Sequence, residues 1–309
     1  MQYYIGVDGG GTKTAFAMAD ENGKMYGELY KAGASYKHAG WDATFGCIEG
    51  GVKELLAKVP ARKEDVYICI GAPNYGESKE FDQKLEEGIG HILKGYHLKI
   101  VNDCEVGWAG SLGLKPGINI VAGTGSIGFG KDSYGTRAQA GGWSDFFGDE
   151  GSCRWLGVKA IELFSKQADG REERGPLYDV VMEHFHIEEP VDLIDLFEAE
   201  YQPYREKLAG LQRLLLAAAE RGDKKAQECY EKAAAELAMI IKAVYRKLKF
   251  EEACTVSYSG GLFRVGDRIL RPLLEELKDY NIKFCSPLYE PVKGAVLLAA
   301  ELAGGKICI

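Results

Sequence analysis

The 309-residue sequence lacks any apolar run close to the roughly 18 residues that a membrane-spanning helix needs. Its first residues, MQYYIGVDGGG, have neither the basic start nor the apolar centre of a secretory signal. Basic residues are in deficit, 38 against 46 acidic ones, and the net charge of −8 argues against nucleic acid or an anionic membrane as a partner. CxxC pairs are absent and the eight cysteines are scattered, which favours reduced thiols in a cytoplasmic protein.

Glycine is the residue in excess. The 40 glycines make up about 13% of the chain, against a usual ~7%. They cluster at 9–11, 123–130, 141–151 and 260–261, and each cluster adjoins an apolar run. Glycine beside a strand end indicates a tight turn or a close backbone approach to a ligand. These clusters are therefore where we expect the chemistry.

The remaining pattern is that of a globular α/β protein. Strand-like and helix-like segments alternate at both ends of the chain, and a mainly helical stretch from Cys153 to Phe250 separates them. Near the carboxyl end, the pattern predicts an amphipathic helix over Asp267–Leu277 and a closing helix over Pro291–Leu302. Residues 5–24 and 118–135 share one pattern: a strand, a glycine-rich hairpin with hydroxyl groups, a second strand and a polar turn. This similarity predicts an internal duplication of architecture, and the length suits about two domains.

The segment from Asp8 to Thr14, DGGGTKT, predicts a phosphate-binding loop. Glycines allow backbone N–H donors to approach a phosphate chain, and the side chains of Thr12, Lys13 and Thr14 add donors and charge. Asp8 at the strand end suits a metal ion, bound directly or through water. The GxxxxGK[ST] template does not fit, because Thr12 follows Gly11 where that lysine should stand. A plain glycine-rich hairpin is the alternative.

The second glycine hairpin, Gly123–Gly128, matches GxGxxG after a strand. The dinucleotide-binding fingerprint also requires a helix directly afterwards, and the glycine-rich residues up to Gly135 cannot begin one. A second phosphate-binding hairpin, facing the first, therefore explains these residues better than a nicotinamide site.

Two aspartates each allow two interpretations. Asp103 follows the strand 98–101, at the kind of strand end where ligands collect, but it could equally cap a helix that starts near Glu105. Asp149 and Trp143 lie on a glycine-rich loop whose carboxylate and aromatic groups suit a sugar. Asp149 could instead cap a helix that starts near Gly151.

Together these motifs resemble the sugar kinase, actin and heat-shock chaperone ATPase superfamily. Within it the chain is similar to the N-acetylglucosamine kinase branch, which is grouped with the BadF/BadG/BcrA/BcrD ATPases. The motifs occur in the family order: DGGGTKT at 8–14, VND at 101–103, AGTGS at 122–126, GGW at 141–143, GDEGS at 148–152 and SGG at 259–261. The resemblance implies an α/β fold of two ribonuclease-H-like (actin-like ATPase) domains with an interdomain nucleotide cleft. The implied domains are residues 1–116 and 117–290, the second with a helical insertion, and the helix at about 291–309 packs back on the first.

The resemblance also implies a function and a set of site residues. The expected activity is ATP-dependent phosphorylation of an N-acetylglucosamine-like hexosamine at its 6-OH, with ATP, Mg²⁺ near Asp8, and Asp103 as general base. The implied nucleotide-binding residues are Gly10, Gly11, Thr12, Lys13, Thr14, Thr124, Gly125, Ser126, Gly260 and Gly261. The implied sugar-binding residues are Ser35, Tyr36, Trp143 and Asp149. Such kinases are commonly homodimers, although no sequence patch allows a dimer to be derived.

Two departures from the family pattern fall on the sugar side. Tyr36 stands where amino-sugar kinases of this branch usually carry asparagine, and the family's GGWGH reads GGWSD here, ending at Asp145. The acceptor therefore stays open among N-acetylglucosamine, glucosamine, N-acetylmuramic acid and other sugars.

Two other functions remain as alternatives. One is an ATPase activator of a radical dehydratase or reductase, which would need cysteines for an iron–sulfur cluster, and the other is a non-catalytic sugar-sensing regulator. The isolated cysteines and the GDEGS element argue against the activator. The absence of a DNA-binding segment before Met1 and the presence of Asp103 argue against the regulator.

Overall fold

The structure is a computed structural model that describes residues 1–144, 146–201 and 204–309, with the side chain of His38 left aside. The chain divides into two compact units, residues 1–119 with 286–309 and residues 120–285. In the described ranges each of the two sheets has five strands, and helices pack around them, which confirms the predicted α/β class. None of the helices in these ranges is long and apolar enough to cross a membrane.

The first sheet is built from the amino-terminal part of the chain. Its strands are β1 Tyr3–Asp8, β2 Lys13–Asp20, β3 Met25–Ala32, β4 Val66–Ala72 and β5 His97–Asn102. β1, β2 and β3 pair antiparallel, whereas β4 and β5 add parallel to β1, so the order is β3-β2-β1-β4-β5. Because β1, β4 and β5 run in the same direction, their carboxyl ends meet at one edge of the sheet.

The second sheet repeats this arrangement. Its strands are β6 Gly117–Ala122, β7 Ser126–Lys131, β8 Arg137–Gly141, β9 Cys254–Ser259 and β10 Ile282–Phe284. The order β10-β9-β6-β7-β8 places the first strand in the centre, the next two on one side and the last two on the other, as in the first sheet. The predicted duplication of architecture is therefore confirmed. β8 and β10 were not predicted, since one is rich in small residues and the other has only three residues.

The α-helices of the described residues complete the two units. They are α1 Tyr36–Ala39, α2 Trp41–Leu56, α3 Lys79–Ile92, α4 Asp103–Leu112, α5 Cys153–Asp169, α6 Pro176–Phe185, α7 Leu193–Glu200, α8 Arg205–Gly210, α9 Gln212–Glu220, α10 Lys224–Tyr245, α11 Asp267–Leu277 and α12 Pro291–Leu302. The run from α5 to α10 confirms the mainly helical stretch predicted between the two ends of the chain. The predicted limits of α11 and α12 agree with the structure residue for residue.

The central strand β1 is held in place from both sides. Ile5 and Val7 are fully buried in an apolar cluster with residues of α2 and α3, where each buried side chain of this size contributes about 1.5–3 kcal/mol. On the other face α12 lies so close that a side chain at Gly6 would come within 2.5 Å of the Val292 carbonyl oxygen. This double packing fixes the end of β1 and therefore the position of Asp8.

Candidate active site

The loop between β1 and β2, Gly9–Thr12, is held by backbone contacts on two sides. The Gly9 N–H donates to the Gly71 carbonyl at the end of β4 (2.8 Å), and the Ala34 N–H donates to the Gly10 carbonyl (3.1 Å). A Cβ atom at Gly33 would overlap the Gly11 carbonyl oxygen. Only glycine fits this approach at position 33. Gly10 and Gly11 carry no side chains, so a phosphate can come close to their backbone N–H groups, as a phosphate-binding loop requires.

The three side chains from Thr12 to Thr14 differ in exposure. Thr12 and Lys13 are exposed, and the Lys13 Nζ lies 4.0 Å from the centre of the Tyr30 ring. Thr14 is fully buried, as are the following residues of β2 on both faces of the sheet. The structure therefore keeps Gly10, Gly11, Thr12 and Lys13 at the surface and directs the Thr14 side chain into the interior.

The carboxylates of Asp8 and Asp103 lie at the same sheet edge. Asp8 ends β1, and Asp103 follows β5 as the first residue of α4. The capping residue of α4 is Asn102: its Oδ1 accepts the Cys104 N–H (3.0 Å), while its Nδ2 donates to the Tyr75 carbonyl (2.7 Å). The alternative in which Asp103 caps this helix is therefore wrong. Asn102 was not predicted as a site residue, although asparagine before a helical segment is a recognised N-cap signal.

Both carboxyl groups ionise less readily than usual. Burial and, after it, the charge of Asp103 raise the pKa of Asp8 to about 7, and Lys13 opposes the shift. Burial also raises the pKa of Asp103 to about 6; the Cys104 N–H opposes this, and the charge of Glu77 adds to it. A carboxylate with a pKa close to neutrality is suited to accept and release a proton.

The same edge suits a divalent cation. Glu290 is, after Asp103, a second acidic group whose charge raises the pKa of Asp8, so negative charge accumulates around that carboxylate. Hard cations such as Mg²⁺ prefer oxygen ligands, and they usually take one or two carboxylates together with water and phosphate oxygens. Among the described residues, no group of three or more His, Cys, Asp or Glu side chains is arranged to hold a metal ion by itself. These carboxylates therefore suit a cation whose other ligands are water and phosphate oxygens.

Ser35 and Tyr36 lie next to the first glycine loop. Ser35 is buried directly before α1, and Tyr36 lines a small apolar cavity together with Gly9. The Tyr36 ring stacks on Trp41 at 4.5 Å and contacts Phe81 at 5.1 Å between ring centres. Its hydroxyl is buried and has no hydrogen-bond partner in the described part of the chain. The aromatic surroundings of Tyr36 were not predicted, since these residues are scattered along the sequence.

In the second unit the hairpin from Gly123 to Ser126 joins β6 to β7. The Gly123 N–H donates to the Gly125 carbonyl (2.9 Å), and the Ser126 hydroxyl donates to the Glu150 carbonyl (2.7 Å). The first residue of α5, Cys153, donates its N–H to the Gly123 carbonyl (2.9 Å). Strand β7 follows the hairpin, so the helix that a dinucleotide fingerprint demands is not formed there.

The third glycine motif lies beside this hairpin. Gly260 follows β9 with a φ of 104°, a conformation that side chains rarely adopt, and a Cβ atom there would overlap the Ala122 carbonyl oxygen. Ala122 directly precedes the hairpin, and Gly260 and Gly261 are both exposed. The structure thus brings Gly260 and Gly261 together with the predicted phosphate-binding residues Thr124, Gly125 and Ser126.

Asp149 is engaged inside the second unit. Its side chain is buried, its Oδ1 accepts the Ser126 N–H (3.1 Å), and its Oδ2 pairs with the Arg205 guanidinium at the start of α8. The N-cap of α5 is Ser152, whose hydroxyl oxygen accepts the Trp155 N–H (3.1 Å), so the alternative in which Asp149 caps this helix is wrong. Arg205 was not predicted as a partner of Asp149, because no sequence motif lies near it.

The remaining predicted sugar-side residues give a mixed result. Trp143 is 80% exposed, so most of its indole is in contact with solvent. Asp145, one of the two departures from the family pattern, lies outside the described residues. In the first unit the structure groups Asp8, Asp103, Ser35 and Tyr36 around the glycine loop.

Comparison with known proteins identifies the family. The chain is 28% identical to the N-acetylmuramic acid/N-acetylglucosamine kinase of Clostridium acetobutylicum, over 97% of this chain and 98% of that one. It is 30% identical to the N-acetyl-D-glucosamine kinase of Dictyostelium discoideum, over 96% and 98%. A crystal structure assigned as an N-acetylglucosamine kinase, from Chromobacterium violaceum, shares the fold with a TM-score of 0.75 at 24% identity, over 97% of this chain and 99% of that one. Residues 5–299 match the family itself: the chain belongs to the BadF/BadG/BcrA/BcrD ATPase family.

Proposed function

We propose that the protein is an ATP-dependent kinase that phosphorylates an amino sugar, an N-acetylglucosamine-like hexosamine, at its 6-OH. The observation that carries this proposal is the half-buried carboxylate of Asp103, whose pKa burial raises to about 6, at the sheet edge that also holds the first glycine loop. The activities of the relatives from Clostridium acetobutylicum and Dictyostelium discoideum support the choice of substrates.

The proposed reaction is a single phosphoryl transfer. Asp103 accepts the proton of the sugar hydroxyl as that oxygen attacks the γ-phosphorus of ATP. The bond from the γ-phosphorus to the bridging oxygen breaks, and ADP leaves. Asn102 fixes the start of α4 through its two hydrogen bonds, so it holds Asp103 in a constant orientation. Catalysis then depends on positioning and on compensation of negative charge rather than on a covalent intermediate with the protein.

The remaining site residues have proposed roles. Backbone N–H groups of Gly10 and Gly11, with the Thr12 and Lys13 side chains, bind the β- and γ-phosphates. Thr14 supports this loop from the buried side. Thr124, Gly125 and Ser126 bind phosphate from the second unit, and Gly260 and Gly261 lie beside the adenosine. Ser35, Tyr36 and Trp143 contact the sugar; the contacts of Asp149 within its own unit favour a positioning role over direct sugar contact.

Asp8 is the proposed metal-side residue. Its carboxylate, with the acidic groups around it, would hold Mg²⁺ directly or through water. Magnesium bound with the phosphates would offset the charge that develops during transfer. Two ribonuclease-H-like domains close to 1–116 and 117–290, a cytoplasmic location and a homodimer belong to the same proposal, because the family resemblance implies them.

The activator alternative finds less support. Five of the eight cysteines are buried: Cys69, Cys104, Cys153, Cys229 and Cys254. Burial raises the pKa of the Cys69 thiol to about 12 and that of Cys153 to about 11, whereas cluster ligation needs thiolates. These five buried cysteines are therefore poor ligands for an iron–sulfur cluster at the protein surface.

The test is ADP formation by the purified protein with MgATP across a panel of hexoses and amino sugars, with Asp103→Asn in parallel. Sugar-dependent ADP formation is expected, and its rate should fall by about 10²–10⁴-fold in Asp103→Asn. Asp42→Asn is a matched control, since Asp42 also lies in the first turn of a helix but is exposed. ADP formation that needs no sugar and persists in Asp103→Asn would contradict both the activity and the general base.

A further inference from the structure

A buried negative charge lies against the proposed phosphate-binding hairpin of the second unit. The Asp149 carboxylate accepts the Ser126 N–H, and a Cβ atom at Gly125 would lie only 2.5 Å from its Oδ1. Asp149 has a φ of 58°, a conformation that few residues other than glycine adopt, and its side chain is only 3% exposed. A free carboxylate in this position would repel a phosphate bound by the same hairpin.

Arg205 compensates this charge from a different part of the chain. Its guanidinium pairs with the Asp149 Oδ2 across 56 residues of sequence. Its Nη2 would lie 2.6 Å from a Cβ atom at Gly125, so the positive charge adjoins the hairpin as well. The Arg205 Nε is buried and makes no hydrogen bond within the described ranges.

We propose that Arg205 is a positioning residue for the phosphates of ATP. By neutralising Asp149, it allows the hairpin from Gly123 to Ser126 to bind an anion, and it makes the affinity for the phosphates depend on the helical segment that carries α8. This inference rests on the proposed function, and it adds a residue that the sequence motifs do not contain.

An ordinary structural ion pair would behave differently. Removal of one partner from a buried ion pair often lowers the stability of the protein strongly, because the other charge is left uncompensated. A purely structural role therefore predicts a loss of stability with no specific change in nucleotide affinity. A role in phosphate binding predicts that neutralising Asp149 compensates for the loss of Arg205.

The experiment compares Arg205→Ala, Arg205→Lys, Asp149→Asn and the double variant Arg205→Ala/Asp149→Asn. Asparagine keeps the acceptor for the Ser126 N–H but carries no charge. Arg221→Ala is the matched control, because Arg221 pairs with Glu183 (3.0 Å) on the exposed surface of the same unit. The readouts are KM for ATP, KM for the sugar, kcat, and the Kd values of MgADP and of adenosine.

We expect Arg205→Ala to raise KM for ATP and the Kd of MgADP by about tenfold, the effect of one uncompensated charge close to the ligand. KM for the sugar and the Kd of adenosine should stay unchanged. Arg205→Lys should recover part of the loss, and the double variant should bind MgADP within about threefold of the wild type, because the repulsive charge is gone. The control should match the wild type in every readout.

Two results would overturn the inference: an unchanged Kd for MgADP in Arg205→Ala, or a double variant that binds as weakly as the single one. The binding measurement separates this inference from the proposed function. A wild type that phosphorylates no sugar would contradict the kinase assignment, whereas loss of MgADP binding in Arg205→Ala and its return in the double variant would still support the role of Arg205.

Discussion

The charge of Asp103 is, after burial, the largest cause of the raised pKa of Asp8. The two residues lie at the same sheet edge: Asp8 ends β1 and Asp103 directly follows β5, with only β4 between these strands. The charge of Asp103 makes ionisation of Asp8 less favourable, and the charge of Glu77 does the same for Asp103, so this edge prefers either a proton or a cation at neutral pH. Such a pair suits a site where one carboxylate binds a metal ion and the other accepts a proton.

Asp103→Asn should make the protein more stable while it removes activity. The pKa of Asp103 is raised in the folded protein from 3.8 to about 6, so the charged form is disfavoured by folding. The folded protein loses stability as the pH rises between these two values, and at about pH 7.5 the neutral amide should raise the free energy of unfolding by about 1–3 kcal/mol. Urea unfolding of both proteins at about pH 4 and about pH 7.5 checks this.

At the lower pH the difference should shrink to about 0.5 kcal/mol, because Asp103 is then largely protonated in the folded chain and already close to half protonated in the unfolded one. Asp42→Asn, at an exposed first-turn position of α2, should show no such gain, since the Asp42 carboxylate stabilises α2 through a favourable interaction with the helix dipole. An Asp103→Asn protein that is less stable than the wild type at both pH values would contradict the raised pKa.

The rate should depend on pH through the same group. Below about pH 6, kcat/KM for the sugar should fall about tenfold per pH unit, because a protonated Asp103 cannot accept the proton of the sugar hydroxyl. Initial rates between about pH 5 and pH 8 measure this, and the residual rate of Asp103→Asn should lack the transition. A flat profile for the wild type would argue against Asp103 as the base.

Gly33→Ala should disrupt the first glycine loop although residue 33 lies outside it. The new methyl group would overlap the Gly11 carbonyl oxygen, so the loop must move, at a cost of about 1–3 kcal/mol. KM for ATP should rise more than KM for the sugar. Gly46→Ala is the control: its Cβ atom meets nothing within 4 Å in α2, and alanine there should stabilise the helix by about 0.5–1 kcal/mol. Equal nucleotide affinity in both variants would contradict the prediction.

Tyr36 should respond differently to loss of its hydroxyl and to loss of its ring. Tyr36→Phe removes a buried hydroxyl with no partner among the described residues and should raise the free energy of unfolding by about 1 kcal/mol. Tyr36→Asn loses the stacking on Trp41 and should cost about 2–4 kcal/mol. Since asparagine is usual at this position in amino-sugar kinases, the variant should shift preference towards N-acetylglucosamine. An unchanged ratio of kcat/KM between sugars would exclude position 36 as a specificity determinant.

Local patterns in the sequence were sufficient for much of the architecture. The limits of α11 and α12 and the strands on either side of both glycine hairpins follow from apolar periodicity and from turn residues, which depend on neighbours a few positions away. The same holds for the repeated strand–hairpin–strand unit, because its two copies share one local pattern, whereas β8 and β10 and the full strand order were not predicted. The glycine, aspartate and hydroxyl motifs were also visible, since each is contiguous.

The environment of each side chain was decided only by tertiary structure. Whether Asn102 or Asp103 caps α4 depends on backbone geometry, and the raised pKa of Asp103 depends on burial that no local pattern reports. The ion pair of Asp149 with Arg205 joins residues 56 positions apart, and neither has a local signal for the other. Sequence therefore determined which chemical groups lie at the strand ends, while long-range packing determined their charge, their partners and their exposure.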